Sequence, residues 1–171
     1  MARPSMKTDF TKTQLQEMAE SVEYWWHSID LGQGIVTKGF KTPETLQHEL
    51  ESLRLPDLRN KTVLDIGAWD GFFSFEAERR GAKRIVAVDH YVWSLHLTKD
   101  SRHWRESKPG DANWPDKLPG KRGYDTAHEA LASKVETVVG DFMTMDLEPL
   151  GTLMSCFFSG CCTTWRTPSP H

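Results

Sequence analysis

The chain has 171 residues, of which 26% are charged, and a formal net charge of -3. This length has room for one domain, and the composition excludes a global basic field for nucleic acid. No uninterrupted apolar run could cross a bilayer, and the N-terminal residues MARPSMKTDF lack the apolar segment of a signal peptide. We therefore expect a cytoplasmic protein without a membrane partner.

Two helices are predicted near the N-terminus. Apolar residues recur on one face of residues 11–29, where Thr13 and Gln16 have the spacing of a capping box. Farther along, Thr42 followed by Pro43 predicts the start of a second helix, with leucines on one face. The second helix is expected to be scaffold.

Between these helices lies an aromatic and glycine-rich stretch. The glycines and alternating apolar residues of 25–39 predict an irregular or short hairpin element. Trp26 and His27 could line a substrate pocket, or they could belong to an aromatic lid with a solvated histidine. Residues 1–60 are thus predicted to form an N-terminal helical and aromatic lid region.

The central stretch, residues 62–89, has the pattern of a strand, a turn, a helix and a second strand. Apolar runs end at Asp65 and Asp89, and Gly67 and Gly71 punctuate the turn. This order implies parallel strands with a right-handed crossover, which places the turn at the carboxyl edge of the sheet, where ligands bind. The glycines let the backbone approach a ligand, and Asp89 suits ribose hydroxyls. A nucleoside-containing cofactor is predicted.

The glycine spacing separates two classes of nucleoside cofactor. A dinucleotide fingerprint counted from Gly67 would have its next glycines at Trp69 and Phe72. Neither residue is glycine, which disfavours an NAD-binding oxidoreductase but leaves it as an alternative. A turn that holds no ligand is also left open.

Residues 90–123 have a loose pattern in which tryptophans are interleaved with basic residues and prolines forbid a long regular element. Loops of this length are usually functional or disordered. Residues 99–122 could hold an anionic substrate or contact nucleic acid through basic and stacking side chains. Trp93 is a candidate substrate contact. A solvated insertion with tryptophan anchors is an equal alternative, because acidic residues dilute the charge.

Helical pattern returns over residues 124–133, and an apolar strand is predicted over residues 135–139. That strand ends at Gly140. By the same topological argument, Asp141 and Phe142 lie at the carboxyl edge of the sheet, beside the base of the cofactor. A surface loop is the alternative here.

Three stretches together resemble a known family: WWHSIDLGQGIVTKG, VLDIGAWDGFFSFEAERRGAKRIVAVDHYVW and VETVVGD. They are similar to bacterial methyltransferases related to the tRNA wobble-uridine methyltransferase family. Residues 65–71 resemble the first motif of class I S-adenosylmethionine (SAM) methyltransferases, with Trp69 where the middle glycine is usual. The resemblance implies an α/β, Rossmann-like fold with a seven-stranded sheet. Only its first three strands are expected here, in a partial SAM-binding domain at 61–151.

The resemblance also implies an activity and a site. The activity is methyl transfer from SAM to an RNA or small-molecule acceptor, with Asp141 accepting from the adenine amine. A base is needed only if the acceptor loses a proton, and His27 and His90 are the candidates. The expected cofactor-binding residues are Asp65, Gly67, Ala68, Trp69, Gly71, Asp89, His90, Asp141 and Phe142; the candidate substrate contacts are Trp26, His27 and Trp93.

The final residues, 152–171, differ sharply in composition from the rest. They contain no acid and all three cysteines, which form neither a disulfide framework nor a paired zinc motif, so no metal site is predicted. When the stretch from Leu153 is back-translated with permitted codons, one inserted nucleotide shifts it to FDVVLLLGVLYHMEDPLAT, an apolar strand and turn of the kind the resemblance implies. We therefore expect an out-of-frame tail on a domain truncated after its third strand.

Such a truncation predicts a weakened protein. The first strand of the sheet would have an unpaired apolar edge, and SAM binding and turnover would be weak. A non-catalytic fragment that acts by binding only is therefore an alternative function. The oligomeric state stays open.

Overall fold

A computed structural model describes residues 8–94 and 119–150 and the backbone of residues 155–158. In chain order the elements are α1 (Lys12–Glu20), β1 (Trp25–His27), β2 (Asp30–Gly32), β3 (Ile35–Val36), β4 (Gly39–Lys41), α2 (Pro43–Ser52), β5 (Thr62–Ile66), α3 (Phe72–Arg79), β6 (Arg84–Asp89), α4 (Arg122–Ala130), β7 (Glu136–Val139), a 3-10 turn (Glu148–Leu150) and β8 (Ser155–Phe158). None of the helices in these ranges is long and apolar enough to span a membrane.

The main sheet has four parallel strands in the order β7-β6-β5-β8. Side chains of the central strand β5 alternate between two apolar clusters, with Val63 in one and Leu64 in the other, as the pleat of a strand requires. Strands that are apolar on both faces are typical of parallel sheets covered on both sides. The predicted α/β, Rossmann-like fold class is confirmed.

The fourth strand corrects one expectation from the sequence. A domain that stops after three strands would leave one edge of β5 unpaired, but β8 pairs with that edge from Val63↔Ser155 to Ile66↔Phe158. The backbone groups of β5 need partners, and β8 supplies them within the same chain. The predicted unpaired edge is therefore wrong. The remaining residues of the predicted out-of-frame tail, 152–154 and 159–171, lie outside the described residues.

Two helices and the N-terminal elements share one core on a single face of the sheet. Phe75 of α3 and Tyr124 of α4 pack there with Leu15 of α1 and Leu46 of α2, and each of the four is at most 1% exposed. The other face, which carries Leu64 and its neighbours, is covered in part by the segment after β7. The N-terminal region is thus joined to the sheet through a common core.

The first helix differs from its prediction in both start and length. It ends at Glu20, and its capping box is formed by Thr11 and Gln14 instead of Thr13 and Gln16. The Thr11 N–H donates to the Gln14 side chain at 2.8 Å, while Thr11 Oγ1 accepts from the Gln14 N–H at 3.3 Å. Both pairs have the same spacing, so the pattern alone could not choose between them.

Other N-terminal predictions are confirmed. Thr42 Oγ1 accepts from the Thr45 N–H, and Pro43 is the first residue of α2. Strands β2 and β3 form an antiparallel hairpin within residues 25–39. Strands β1 and β4, which flank this hairpin, pair in parallel and bring the aromatic residues of the two strands together.

Candidate functional site

A cavity of about 570 Å³ opens at the carboxyl edge of the main sheet. Its wall is formed by the ends of β5, β6 and β7 and by Trp26 and Lys41 from the N-terminal region. The volume lies within the range of small-molecule and cofactor sites, and the place is where open α/β sheets bind ligands. Six of the expected cofactor-binding residues line it: Gly67, Trp69, Asp89, His90, Asp141 and Phe142.

The turn after β5 uses three left-handed backbone conformations. Gly67, Trp69 and Gly71 have φ of +74°, +53° and +86°. A tryptophan in this region carries strain of about 1–3 kcal/mol, which a glycine would not. This explains why a glycine is common at the position of Trp69 in the motif that the turn resembles.

Two side chains hold the strained residue from opposite sides. The Trp69 N–H donates to Asp89 Oδ2 at 2.9 Å, and its carbonyl accepts from Trp93 Nε1 at 2.6 Å. Both polar groups of the Trp69 main chain are thus fixed by side chains at or beyond the end of β6. Trp93 itself does not line the cavity, so its contribution runs through the backbone of Trp69.

Asp89 ends β6 at the cavity and is almost fully buried. Its Oδ2 accepts from Trp69 and its Oδ1 accepts from the Val92 N–H at 2.9 Å. Burial raises the pKa of the Asp89 carboxyl, although the backbone N–H groups of Trp69 and Val92 favour the charged form. Each carboxylate oxygen keeps a second lone pair, so Asp89 can accept from two adjacent hydroxyls, as a ribose presents.

Asp65 and Gly71 lie behind the turn. Asp65 is fully buried, its Oδ2 accepts from Ser74 Oγ at 2.6 Å, and its Oδ1 has no hydrogen-bond partner among the described residues. Burial raises the pKa of its carboxyl to about 6. A Cβ on Gly71 would come within 2.8 Å of the rings of Phe75 and Tyr124. Asp65 thus links β5 to α3, and the absence of a side chain at Gly71 leaves room for the two rings. Asp65, Gly71 and the buried Ala68 do not line the cavity.

The end of β7 closes the cavity beside Asp89. The Gly140 N–H donates to the Asp89 carbonyl at 3.1 Å. Asp141 Oδ1 accepts from the Met143 N–H at 2.9 Å, which shapes the turn that carries Phe142. Asp141 and Phe142 thus reach the cavity wall as the topology predicted.

The two candidate histidines are in different environments. His90 lines the cavity, and its Nδ1 lies 2.6 Å from Ser94 Oγ. His27 is fully buried, its ring packs on Phe72 and Phe73, and it lies outside the cavity wall. The alternative of a solvated His27 is wrong, because its ring is buried against Phe72 and Phe73.

The partner that pins His27 is Asp70, which the sequence reasoning missed. Asp70 Oδ1 contacts His27 Nδ1, and its Oδ2 accepts from the N–H groups of Trp26 and His27 at 2.8 and 2.9 Å. Asp70 is 2% exposed. Its place in the glycine turn was the signal available, but the partner lies more than 40 residues away in the chain.

Aromatic residues form the N-terminal side of the cavity. Trp26 stacks on Trp69 with ring centroids 5.0 Å apart and on Phe40 at 4.9 Å. Lys41, which the sequence reasoning also missed, lines the cavity and pairs with Glu49 at 2.9 Å. In residues 8–94 and 119–150, no three His, Cys, Asp or Glu side chains come together as a metal would require.

The fold and site together define a Rossmann-like α/β domain with a cavity at the carboxyl edge of its parallel sheet. The N-terminal domain of EvdMO1, solved in the presence of S-adenosylhomocysteine (SAH) and D-fucose, has a TM-score of 0.55 against this chain. It is 16% identical, over 91% of this chain and 55% of that chain. At this identity the likeness concerns the fold alone.

Curated proteins match the chain over shorter stretches, and no family model matches it. The ribosomal protein L11 methyltransferase of Phocaeicola vulgatus is 31% identical over 87 residues, which are 48% of this chain and 30% of that protein. The ribosomal protein L11 methyltransferase of Legionella pneumophila is 37% identical over 65 residues, 38% of this chain and 22% of that protein. The chain thus spans less than a third of the length of these relatives.

Proposed function

We propose that the chain is the cofactor-binding domain of a SAM-dependent methyltransferase. The observation that carries this proposal is the geometry of Asp89, whose two carboxylate oxygens are fixed by the N–H groups of Trp69 and Val92 at the edge of the cavity. This arrangement leaves lone pairs for vicinal ribose hydroxyls. The matches to methyltransferases support the same class of cofactor.

The residues of the cavity fit the parts of SAM. Asp89 would hold the ribose, Asp141 and Phe142 the adenine, and the backbone beside Gly67 would approach the amino-acid portion. Bound SAM supplies an activated methyl group on a positively charged sulfur. The protein aligns the acceptor for in-line displacement and excludes water, which are the contributions that positioning makes to such a reaction.

Calorimetric titration of the full chain with SAM, SAH and NAD tests the cofactor class. We expect SAM and SAH to bind and NAD not to bind. Asp89→Asn should weaken SAM binding by about tenfold or more, since a hydrogen bond to a charged group is replaced. Asp57→Asn, which changes an exposed carboxyl that does not line the cavity, is the matched control. Preferential binding of NAD would instead support the oxidoreductase alternative.

His90 is the residue we propose as the proton acceptor for an acceptor group that loses a proton. It lines the cavity and is oriented by Ser94, whereas His27 is buried outside it. His90→Gln should lower the rate of methyl transfer and leave SAM affinity within about twofold. If His90→Gln lowered the affinity for SAM by the same factor as the rate of methyl transfer, His90 would be assigned to cofactor binding alone.

The methyl acceptor is proposed to be an RNA or a small molecule, in a cytoplasmic setting. The resemblance of the entry stretch and the first helix to the tRNA wobble-uridine methyltransferase family supports RNA. The basic residues of 99–122 are the proposed contact; of these, residues 99–118 lie outside the described residues. Transfer of labelled methyl from SAM to purified tRNA, compared with a small-molecule pool, separates the two. Labelling of neither would favour a chain that binds without catalysis.

A non-catalytic role is a second candidate because the composition changes abruptly at residue 152. We propose that residues 153–171 are translated in a shifted frame and that the chain turns over poorly. Because β8 pairs with β5, this impairment would not come from an unpaired strand edge. Sequencing the locus tests the frame directly. A chain in which the alternative reading replaces residues 153–171 should bind SAM more tightly than the unaltered chain, and equal affinity would contradict the proposed impairment.

A further inference from the structure

Another cavity, of about 480 Å³, lies between the end of α1 and the segment that joins β3 to β4. It has no lining residue in common with the cavity at the carboxyl edge of the main sheet. Val36 and Phe40 on its strand side are 44% and 42% exposed, so it is an open groove and not an enclosed chamber. We call this feature, formed by residues 16–25 and 36–40, the N-terminal groove.

The shape of the N-terminal groove is fixed by contacts within the chain. Trp25 Nε1 donates to the Ala19 carbonyl at 2.9 Å, which ties the start of β1 to α1. On the strand side, Thr37 Oγ1 donates to the His27 carbonyl at 2.9 Å and accepts from the Ile29 N–H at 2.8 Å. The polar groups of these two buried side chains are thus used inside the protein, and a ligand meets a groove that is already formed.

The two sides of the N-terminal groove differ in chemistry. The helix side carries Glu20 and Glu23, which are both exposed. Glu20 accepts from Gln16 Nε2 at 2.5 Å, and neither glutamate has an ion-pair partner among the described residues. The strand side carries the exposed apolar side chains of Val36 and Phe40. The groove therefore presents carboxylates opposite an apolar surface.

This combination narrows the class of ligand. Exposed apolar side chains rimmed by polar ones are typical of protein-binding surfaces. Carboxylates attract lysine and arginine and repel the phosphates of nucleic acid. The apolar stems of lysine and arginine can cover an apolar surface while their charged heads reach a carboxylate. Lys38, exposed on the strand side, reduces the negative charge of the groove, and a carbonyl of a bound peptide can accept from it.

We propose that the N-terminal groove binds a segment of a partner protein that is both basic and apolar. Its lysine or arginine side chains lie on Glu20 and Glu23, and its apolar side chains lie on Val36 and Phe40. The ring of Phe40 stacks on Trp26, which lines the cavity of the main sheet, so the bound segment is one ring away from that cavity. Binding in the groove does not require SAM.

Fluorescence anisotropy of a labelled peptide of alternating arginine and leucine, titrated with the full chain without SAM, tests this proposal. We expect saturable binding that weakens as salt is raised, because exposed charges are screened. A peptide with glutamate in place of arginine should not bind. Glu20→Gln and Glu23→Gln should each weaken binding about twofold to fivefold, the range of exposed ion pairs. Phe40→Ala should weaken it by about fivefold or more, as expected for an aromatic anchor.

Two further variants separate a contact with the peptide from a structural role. Glu17→Gln is the matched control, because Glu17 is exposed on α1 and does not line the groove. The double variant Glu20→Lys with Glu23→Lys should bind the glutamate peptide in place of the arginine peptide. Loss of a structural role would not reverse this preference. Thermal unfolding identifies variants that lose their fold, and the double variant decides the result if Phe40→Ala is one of them.

Other occupants of the groove would give different results, and each would overturn the proposal. A uridine oligomer that displaces the arginine peptide would show that the groove takes nucleic acid. A gain in peptide affinity of about tenfold or more from Arg3→Gln with Lys7→Gln would assign the groove to residues 1–7 of the chain itself. A dimer in sedimentation that the double lysine variant dissociates would assign it to a second copy. Absence of peptide binding, or equal binding by all variants, would also contradict it.

Discussion

The carboxyl group of Asp65 is held in a fully buried position where its charged form is disfavoured. Its pKa is raised from 3.8 to about 6, first by burial, with the hydrogen bond from Ser74 acting in the opposite direction. The folded state therefore binds this proton more tightly than the unfolded chain. The contribution of Asp65 to stability is fully present below pH 3.8 and is lost as the pH rises through about 6.

Asp65→Asn should remove this pH dependence. At pH 8 the variant should gain up to about 3 kcal/mol of unfolding free energy, because no charge is buried, whereas at pH 4 the gain should be small. Urea unfolding of both chains at the two pH values measures the difference. Asp57→Asn is the control. Arg59 lowers the pKa of this exposed carboxyl to about 2, so Asp57 is charged in the folded chain at both pH values and its substitution should not give the gain at pH 8. An equal gain from Asp65→Asn at both pH values would contradict the prediction.

At the scale of elements, Asp70 connects the N-terminal strands to the turn that follows β5. It is buried and accepts from the N–H groups of Trp26 and His27 while it contacts the His27 ring. Asp70→Ala leaves those buried donors without an acceptor and should cost about 3 kcal/mol or more of unfolding free energy. Urea unfolding checks this, and Asp57→Ala, at an exposed ion pair, should leave the free energy nearly unchanged.

The same variant has a consequence for the cavity. Because Asp70 orients Trp26, its loss should also change tryptophan fluorescence under conditions where the chain is still folded. A stability loss without any change in fluorescence would mean that the turn holds Trp26 by other contacts.

The pairing of β1 with β4 depends on a glycine. A Cβ on Gly39 would lie 2.1 Å from the carbonyl carbon of His27 and 2.3 Å from the Ser28 nitrogen, and both are backbone atoms that cannot move aside. Gly39→Ala should therefore cost about 3 kcal/mol or more, at the upper end of overpacking effects.

Gly34→Ala provides the comparison for Gly39, because a Cβ at Gly34 meets open space and only its φ of +78° is unfavourable. Its cost should be about 1–2 kcal/mol. Thermal or urea unfolding of the two variants gives the order, and a smaller loss at Gly39 than at Gly34 would show that β1 and β4 are not packed this closely.

At the scale of the whole molecule, the sequence predicts features that are local in the chain and misses those that join distant segments. The turn from Asp65 to Gly71 and the parallel strands around it follow from short apolar runs and glycines, which act within a few residues. The capping role of Thr42 is equally local, because Thr42 Oγ1 accepts from the N–H of Thr45, three residues further along the chain. The contact between Asp70 and His27 joins residues 43 apart in the chain, and no periodicity reports it.

The candidate site was predicted in part for the same reason. Asp89 and Asp141 could be placed at the cavity because parallel strands end at one edge of the sheet. Lys41 could not, since its position depends on how the N-terminal hairpin packs over that edge. The sequence identified Asp65 as a site residue but did not predict its burial behind the turn, because that burial depends on how α3 packs against β5.

Proline substitutions can test whether β8 pairs with β5 in solution. Alternate N–H groups of a strand face one neighbour, so one of Cys156 and Phe157 donates to β5 and the other does not. Cys156→Pro and Phe157→Pro should therefore differ: one should cost about 1–3 kcal/mol for a lost ladder hydrogen bond, and the other clearly less. Cys156→Ala and Phe157→Ala correct for the side chains. Urea unfolding measures all four, and no difference between the proline variants after that correction would mean that β8 does not complete the sheet in solution.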